Sequence, residues 1–453
     1  MKKYNSYTPC QQLWGEAFPS HWDIVPMYAV AKEKNICDCA ELPLLSVYLD
    51  TGVVLFAART EKRANATSKD LSKYQRVDIG DFVLNNQQAW RGSVGVSSYM
   101  GIVSPAYVVL SMNDKLLSRY ANYLFRSRVM VDQYLINSKG VGSIQRNIYW
   151  PALKRTRVIV PPRAEQDQIV QYLDWKVSEI NNLIGIKQKQ ISCLNEKLLA
   201  LINELVTHGT ERAQEYVSTS MDWAPEIPSH WTTSRIRNHF EILKRIAGEE
   251  GFDVFSVTQQ GLKVRDINLY EGQLAANYSG YQFVYPGEFA MNHMDLLTGG
   301  VGIADHLGVT SPDYRVFRLF DEAHCYAPYY LRVFQLCYRR HAFYRFGRGA
   351  ATVGRWRLPA TAFKSFEIPL PPYEEQLQIV QAIDREEEKN KAAVDCLQKQ
   401  IEVLKELRTR IIADVVTGKV DVRNVKIPKY VHVEEVCSDA KDCDSDETTE
   451  QED

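Results

Sequence analysis

Between Val170 and Leu205 the apolar positions fall in alternating steps of three and four. Val170, Leu173, Val177, Ile180, Ile184, Lys187, Ile191, Leu194, Leu198, Leu201 and Leu205 make up the series, and ten of the eleven are apolar. A heptad seam kept over five repeats predicts a long helix that packs against another helix. Pro161-Pro162, just ahead of it, favours an extended lead-in. A second series repeats the steps at Val380, Ile383, Glu387, Asn390, Val394, Leu397, Ile401, Leu404, Arg408, Ile411 and Val415, with three polar interruptions. A helix of about 45 residues is ~67 Å long at 1.5 Å per residue, more than a small domain can cover. The two helices are therefore expected to pair with each other. The linker from Gly209 to Met221 can reach at most ~45 Å when extended, which favours antiparallel pairing. Leu173, Ile180, Ile184, Ile191, Leu194, Leu198 and Leu201 on the first helix are expected to carry this seam, with Leu397, Ile401, Leu404 and Ile411 on the second.

The stretches ahead of the helices are patterned differently. Short apolar and aromatic runs ("LLSVYL", "VVLFAA", "AYVVL", "RVIVPP"; later "DVFSV", "YQFVY", "YRVFRL", "FEIPLPP") are punctuated by Gly and Pro and predict strands, with helical pieces at 116–134 and 328–346. The same text is written twice. "FPSHW" (Phe18 to Trp22) returns as "IPSHW" (Ile227 to Trp231) after 209 residues. "PPRAEQDQIV" (Pro161 to Val170) returns as "PPYEEQLQIV" (Pro371 to Val380) after 210, and Val206-Thr207 returns as Val416-Thr417. Weaker matches keep nearly this offset: "YQRVDIGDF" with "YQFVYPGEF", and "GIVSPAY" with "GVTSPDY", both at 207. Two copies of one α+β fold follow, each a globular part and then a helix; the period is far too long for a stacked solenoid. Antiparallel helices would relate the copies by a pseudo-twofold axis.

Composition is that of a folded chain, 45% hydrophobic and 24% charged. No apolar run resembles a signal peptide or a membrane span, so a cytoplasmic location is expected. Nine cysteines are scattered, and Cys37 and Cys39 have no second pair at zinc spacing; reduced thiols are expected. The net charge of −2 conceals a tail, residues 434–453, that holds ten acids and one lysine; the rest of the chain carries +7. Residues 1–160 hold 20 Lys/Arg against 12 Asp/Glu, and 331–366 hold seven Arg and one Lys with no acid. Phosphate is a natural counter-charge for such stretches, although a solvated surface gives the same composition.

Catalytic motifs are missing. There is no G-x-x-x-x-G-K-[ST] loop and no G-x-G-x-x-G at a strand-to-helix turn, and Gly299-Gly300-Val301-Gly302 reads as a polar turn. No "NPPY"-type tetrapeptide or nuclease-like carboxylate cluster occurs. His21 and His230 recur beside Trp22 and Trp231, which suggests a packed corner.

The duplicated "PSHW", the duplicated "PP-x-x-EQ-x-x-IV" and the "V-T-G" helix end at Val416 to Gly418 together resemble the specificity subunits of Type I restriction-modification systems. The resemblance runs to about residue 424; "V-T-H-G" at Val206 to Gly209 departs slightly from it. It implies target recognition domains at 1–160 and, with the linker, at 211–370. It also implies paired helices at 161–210 and 371–420 that dock methyltransferase subunits, leaving an acidic, disordered tail at 421–453. Such a chain is non-catalytic and binds no cofactor itself. Double-stranded DNA, two methyltransferase subunits and restriction or translocase subunits are the implied partners, with S-adenosylmethionine, ATP and Mg on those subunits.

Base and phosphate contacts would come from loops that differ between the copies. Candidates are Gln87, Gln88 and Arg91 in "NNQQAWRGS", and Lys139, Gln145 and Arg146 in "SKGVGSIQRN". Their second-copy counterparts are Asn292, His293 and Asp295 in "NHMDLLTGG", and Arg348, Arg355 and Arg357 in "GRGAATVGRWR". Two other readings stay open: a coiled-coil adaptor without DNA readout, and a stand-alone methyltransferase or nuclease. Alanine at Leu194, Leu198 and Leu201 together is expected to weaken helix pairing and co-purification with a methyltransferase while the globular parts stay folded by circular dichroism.

Overall fold

The computed structural model describes residues 2–9, 17–58, 70–141, 145–266, 277–349 and 356–433. Its helices are α1 (Ser118–Arg126), α2 (Arg128–Ile136), α3 (Trp150–Leu153), α4 (Arg163–His208), α5 (Ala327–Arg339), α6 (Ala360–Ser365) and α7 (Tyr373–Val416). None of the described helices is long and apolar enough to cross a membrane. The chain divides into two compact units: Met1–Lys189 with Leu397–Asp453, and Gln190–Cys396. Each long helix contributes to both units.

In the first unit an antiparallel sheet runs in the order Ala31–Lys34, Tyr107–Met112, Phe82–Asn85, Val94–Val96. Leu110 stands opposite Phe82, and Phe82 opposite Val96. In the second unit the order is Phe240–Leu243, Arg315–Leu319, Phe289–Met291, Val301–Ile303, with Phe317 opposite Phe289 and Phe289 opposite Ile303. The last of these strands takes in Val301 and Gly302, which the glycine-rich pattern placed in a turn. Each unit also joins its early strand to the strand before its long helix: Asp23–Pro26 to Arg157–Val160, and Thr232–Arg235 to Glu367–Leu370. The duplication read from sequence is therefore a duplication of register.

The repeated motifs form one joint. In the first unit the Glu165 carboxylate, near the start of α4, accepts from Trp22 Nε1 (2.9 Å) and Tyr4 Oη (3.2 Å) and pairs with His21 Nε2 (2.5 Å). In the second, Glu375 accepts from Trp231 Nε1 (3.0 Å) and pairs with His230 Nε2 (2.9 Å). The glutamine of each "EQ" pair closes the same loop twice. Gln166 donates to Pro161 O and Lys115 O and accepts from Leu117 N, while Gln376 donates to Pro371 O and His324 O and accepts from Tyr326 N. Buried side-chain amides that satisfy three main-chain groups each remove desolvation penalties of about 1–3 kcal/mol per group. Loop and helix start are thereby held as one piece.

Each unit is completed by the helix end of the other copy. Tyr120 Oη donates to Val416 O (3.2 Å), and Val415, Val416 and Trp22 share one core. In the second unit Tyr329 Oη donates to Val206 O (3.0 Å), and Ile202, Leu205 and Val206 pack with Trp231 and Ile379. Within the first unit Lys187 donates to Gln400 and Arg408 to Asn181, so the helix segments run antiparallel there. In the second, Asn195 bonds Asn390 while the buried Val206 and Ile379 share a core, again antiparallel. All eleven seam positions of each helix are buried or half-buried, including Glu387, Asn390 and Arg408.

Two further details depart from the sequence expectations. The helical piece expected over 116–134 is two helices, because Ser127 is extended (φ −65°, ψ 149°) and its hydroxyl binds Leu124 O instead of continuing the turn. The segment 421–433, expected to belong to a disordered tail, packs on the first unit. Val422 is in its core, Gln168 donates to Val422 O and Val425 O, and Asn181 donates to Val433 O. Val420, Val422, Val425 and Ile427 supply the apolar contacts that hold it. The acidic stretch 434–453 lies outside the described residues.

The helix-ending glycines explain the "V-T-G" and "V-T-H-G" endings. Gly418 (φ +75°) and Gly209 (φ +84°) are both left-handed caps, one and two residues beyond the "VT". A Cβ at Gly418 would lie 2.4 Å from the Pro19 ring and 3.0 Å from Trp22, whereas at Gly209 it would meet the Glu375 carboxylate at 2.5 Å. Gly418→Ala is expected to cost about 2–4 kcal/mol, combining left-handed strain with overpacking. Gly209→Ala should cost less, since a glutamate can swing aside and a proline ring cannot. Urea unfolding of the two variants checks the order.

Candidate nucleic-acid interface

The strand Phe82–Asn85 and the strand Val94–Val96 are joined by the loop that carries Gln87, Gln88 and Arg91. Asn85 Oδ1 accepts from Gln87 N, and Gln88 O accepts from Arg91 N and Ser93 N, so the loop is a hydrogen-bonded turn. Trp90 Nε1 donates to Gln87 O (2.9 Å), and the Arg91 guanidinium lies 4.9 Å from the Trp90 ring centre. Arg91 is exposed, whereas Gln87 and Gln88 are half-buried.

A second projection stands beside it. Ser138–Val141 and Gln145–Ile148 pair antiparallel, with Lys139 opposite Asn147 and Gly140 opposite Arg146. Lys139 and Arg146 are exposed, and the Lys139 ammonium sits 3.6 Å from the Tyr149 ring centre. Asn86 ties the two projections: its Oδ1 (2.8 Å) and main-chain O (3.3 Å) both accept from Ile148 N. The structure thus brings Gln87, Gln88, Arg91, Lys139 and Arg146 to one region of the first unit; the side chain of Gln145 lies outside the described residues.

The second unit builds the same arrangement from different residues. Asn292 Oδ1 accepts from Met294 N, and Asn292 N donates to Gly300 O, closing the loop between Phe289–Met291 and Val301–Ile303. Arg348 and Arg357 form a two-residue antiparallel bridge, with main-chain bonds of 2.8 and 3.1 Å, and both side chains are exposed. His293 O accepts from Leu358 N (2.9 Å), the counterpart of the Asn86–Ile148 tie. Arg355 lies outside the described residues. Among the described residues no carboxylate pairs with Lys139, Arg146, Arg348 or Arg357.

Asp295 serves the loop itself. Burial would raise the Asp295 carboxyl, but the Thr298 hydroxyl, which donates to Oδ2, and the main-chain N–H groups of Thr298 and Leu297, which donate to Oδ1, hold it below the ordinary range. Burial, with Arg315 and Arg357 adding like charge, pushes the His293 imidazole down to about 4. It is neutral at neutral pH and does not supply a cation for phosphate. Three positioning residues went unrecognised in the sequence. Asn86 makes the tie described above; Tyr338 Oη donates to Asn292 O (2.7 Å); and buried Arg315 donates to Leu358 O (2.8 Å), burial pushing its guanidinium down to about 10. An arginine at an inward-facing position of the "YRVFRL" strand is the one signal that could have marked the last of these.

No family model matches the chain. A Type I restriction enzyme specificity subunit of Methanocaldococcus jannaschii, MjaVIII, is 25% identical over 51% of this chain; the match spans about half (52%) of that relative's length. The putative MjaX specificity subunit of the same organism is 23% identical over 78% of this chain and 81% of the relative. A chain from a solved type I R-M system, described for its complex assembly and conformational transition, superposes with a TM-score of 0.60 at 14% identity, covering 89% of this chain and 99% of its own. In fold the protein is thus like a mixed helix-and-sheet chain of a type I R-M system. In sequence its curated relatives are Type I restriction enzyme specificity subunits, the family that the repeated motifs resemble.

The His293 environment gives a titration test. The unfolded chain takes up the imidazole proton near 6.5 and the folded chain only near 4, so this residue's contribution to stability is complete above pH 6.5 and is lost as pH falls toward 4. His293→Gln is expected to flatten the difference in urea midpoint between pH 7 and pH 4.5 relative to the parent chain.

Proposed function

We propose that the protein is the DNA-specificity subunit of a Type I restriction-modification complex. It reads an asymmetric, bipartite target and directs methyltransferase and restriction subunits to it. One observation carries this. The same scaffold is built twice, and in each unit a closed turn and an antiparallel projection are tied at one equivalent main-chain point, Asn86 to Ile148 and His293 to Leu358, while the side chains they expose differ. Two similar frames with different exposed donors suit two unlike half-sites better than an adaptor, whose surfaces would not need cations without carboxylate partners.

On this reading Arg91, Lys139, Arg146, Arg348, Arg355 and Arg357 supply phosphate contacts and bidentate guanine contacts, and Gln87, Gln88 and Asn292 suit adenine. On the same reading each globular part reads one half of a target whose two halves are separated by an unread spacer, and the long helices offer the surface on which methyltransferase subunits dock. The chain is then non-catalytic and cytoplasmic, with S-adenosylmethionine, ATP and Mg held by its partners.

Methylation mapping by single-molecule sequencing tests the proposal in cells that express the chain with its cognate methyltransferase. A split asymmetric motif is expected, and exchanging residues 46–157 for those of a relative should change only one half. Failure to find a motif, or a change in both halves, would favour the adaptor. Arg348→Ala and Arg357→Ala should each lower affinity and make the slope of log K against log salt shallower by about one for each phosphate that is no longer neutralised.

A further inference from the structure

The second unit contains a buried polar cluster that the reading of DNA does not use. His239 ends a short turn ahead of Phe240–Leu243; Asp321 follows Arg315–Leu319; Cys325 lies just before α5. His239 and Cys325 are buried, and Asp321 is half-buried. One ligand atom from each lies within 4.8 Å of the other two. His239 Nδ1 faces Asp321 Oδ2 at 2.7 Å, and its Nε2 is 2.7 Å from Ser234 Oγ. The other Asp321 oxygen meets His324 Nδ1 at 2.8 Å.

The first copy serves as an internal control for what the fold itself requires. The two copies align here through equivalent bonds: Asn113 N to Val30 O with Phe320 N to His239 O, and Leu117 N to Gln166 Oε1 with Tyr326 N to Gln376 Oε1. His239 therefore occupies the place of Val30, and Cys325 that of Leu116, both of which are buried and apolar. His324 takes the place of Lys115, and the second copy's loop is two residues longer between these anchors. The scaffold closes with valine and leucine at this point. Burying an imidazole against a half-buried carboxylate there instead costs desolvation that the fold does not demand.

We infer that His239, Asp321 and Cys325 form a three-donor binding site for a divalent transition metal of the zinc class. The donor set is one nitrogen, one oxygen and one sulfur, with a second imidazole on the same carboxylate, which suits zinc and is poor for magnesium or calcium. Bonds of about 2.0–2.3 Å to a tetrahedral ion separate donor atoms by about 3.3–3.8 Å, so His239 and Asp321 need to part by only about 1 Å. Ser234 supplies the outer hydrogen bond that ligating histidines characteristically make: Nε2–H donating to Ser234 Oγ leaves the Nδ1 lone pair directed at the cluster. Bound metal would fasten the exit of Arg315–Leu319 to the start of α5, and so steady the strand whose Arg315 holds Leu358.

The full chain, purified without a metal-affinity tag and dialysed against a weak chelator, should carry about one zinc by plasma mass spectrometry. After exchange with cobalt it should show a thiolate-to-cobalt charge-transfer band and tetrahedral d–d bands. His239→Val with Cys325→Leu, which installs the first copy's residues, should fold, lose the metal and lose the band. Cys325→Ala serves the same purpose if the double variant does not fold. A strong chelator should lower the Tm of the parent chain and leave the double variant's unchanged. A parent chain without stoichiometric zinc and indifferent to the chelator overturns the inference. So does a folded variant that keeps the metal, since Cys37 and Cys39 would then be the ligands.

Discussion

The fold depends on an exchange of helix ends. Tyr120, in the first globular part, is satisfied by Val416 of the second copy's helix, and Tyr329, in the second, by Val206 of the first copy's helix. A buried tyrosine hydroxyl without a partner would carry a penalty of about 1–3 kcal/mol, and the hydrophobic cores around these bonds are larger still. Neither globular part completes its core from its own stretch of chain: Val415 and Val416 lie in the first, and Ile202, Leu205 and Val206 in the second. The long helices are structural members of both units, which gives the duplicated sequence a physical reason to keep both halves.

The second constraint is the joint between "PSHW" and "EQ". A carboxylate at the first turn of a helix is favoured by the helix dipole, and here it also gathers an indole and an imidazole from a turn between two strands far away in sequence. The adjacent glutamine binds the loop that precedes α1 or α5. The turn, the loop and the helix start meet at two consecutive residues, Glu165-Gln166 or Glu375-Gln376. The left-handed glycine at the end of the other copy's helix packs against the same corner, and no larger residue fits there without moving Pro19, Trp22 or Glu375.

Much of this was legible from the chain. The heptad steps located both helices to within a few residues, because a seam of apolar residues is a local, periodic signal. The polar members Glu387, Asn390 and Arg408 fall on the buried side as their spacing required, and Arg408 is satisfied there by Asn181. What the spacing could not convey was the use made of non-local bonds. Ser127 breaks a helical pattern through a hydroxyl that turns back on Leu124, and 421–433 is held by Val422, Val425 and Ile427, which lie ahead of the acidic run that begins at Glu434. At the candidate interface the sequence identified loops rather than roles. Gln87, Arg91, Arg348 and Arg357 stand where differing loops were expected, but whether a side chain faces out or holds its own loop is a matter of one hydrogen bond. Asp295 holds its own, whereas His293 ties Leu358 through its main-chain O and its Nδ1 has no partner among the described residues; Asn86 and Tyr338 have no pattern that marks them as ties, and Arg315 is marked only by its inward-facing place in a strand.

A chain that contains two copies of one fold also separates scaffold from function without any relatives. Residues identical between the copies, such as His21 with His230, Trp22 with Trp231, Glu165 with Glu375 and Gln166 with Gln376, all act in the joint that fastens globular part to helix. Residues that differ fall into two kinds. Some project from equivalent frames, as Arg146 and Arg357 do, and there divergence costs the fold nothing because the frame is held by main-chain bonds. Others are buried, as His239 is against Val30 and Arg315 against the half-buried Val108, and there divergence replaces an apolar contact by a polar group that must find a partner. Exposed divergence between the copies is consistent with two unlike binding tasks, while buried polar divergence in one copy alone calls for a local cause. Arg315 finds part of its cause in Leu358 O, and His239 finds one in Asp321; Cys325, beside them, adds the third side chain of the cluster.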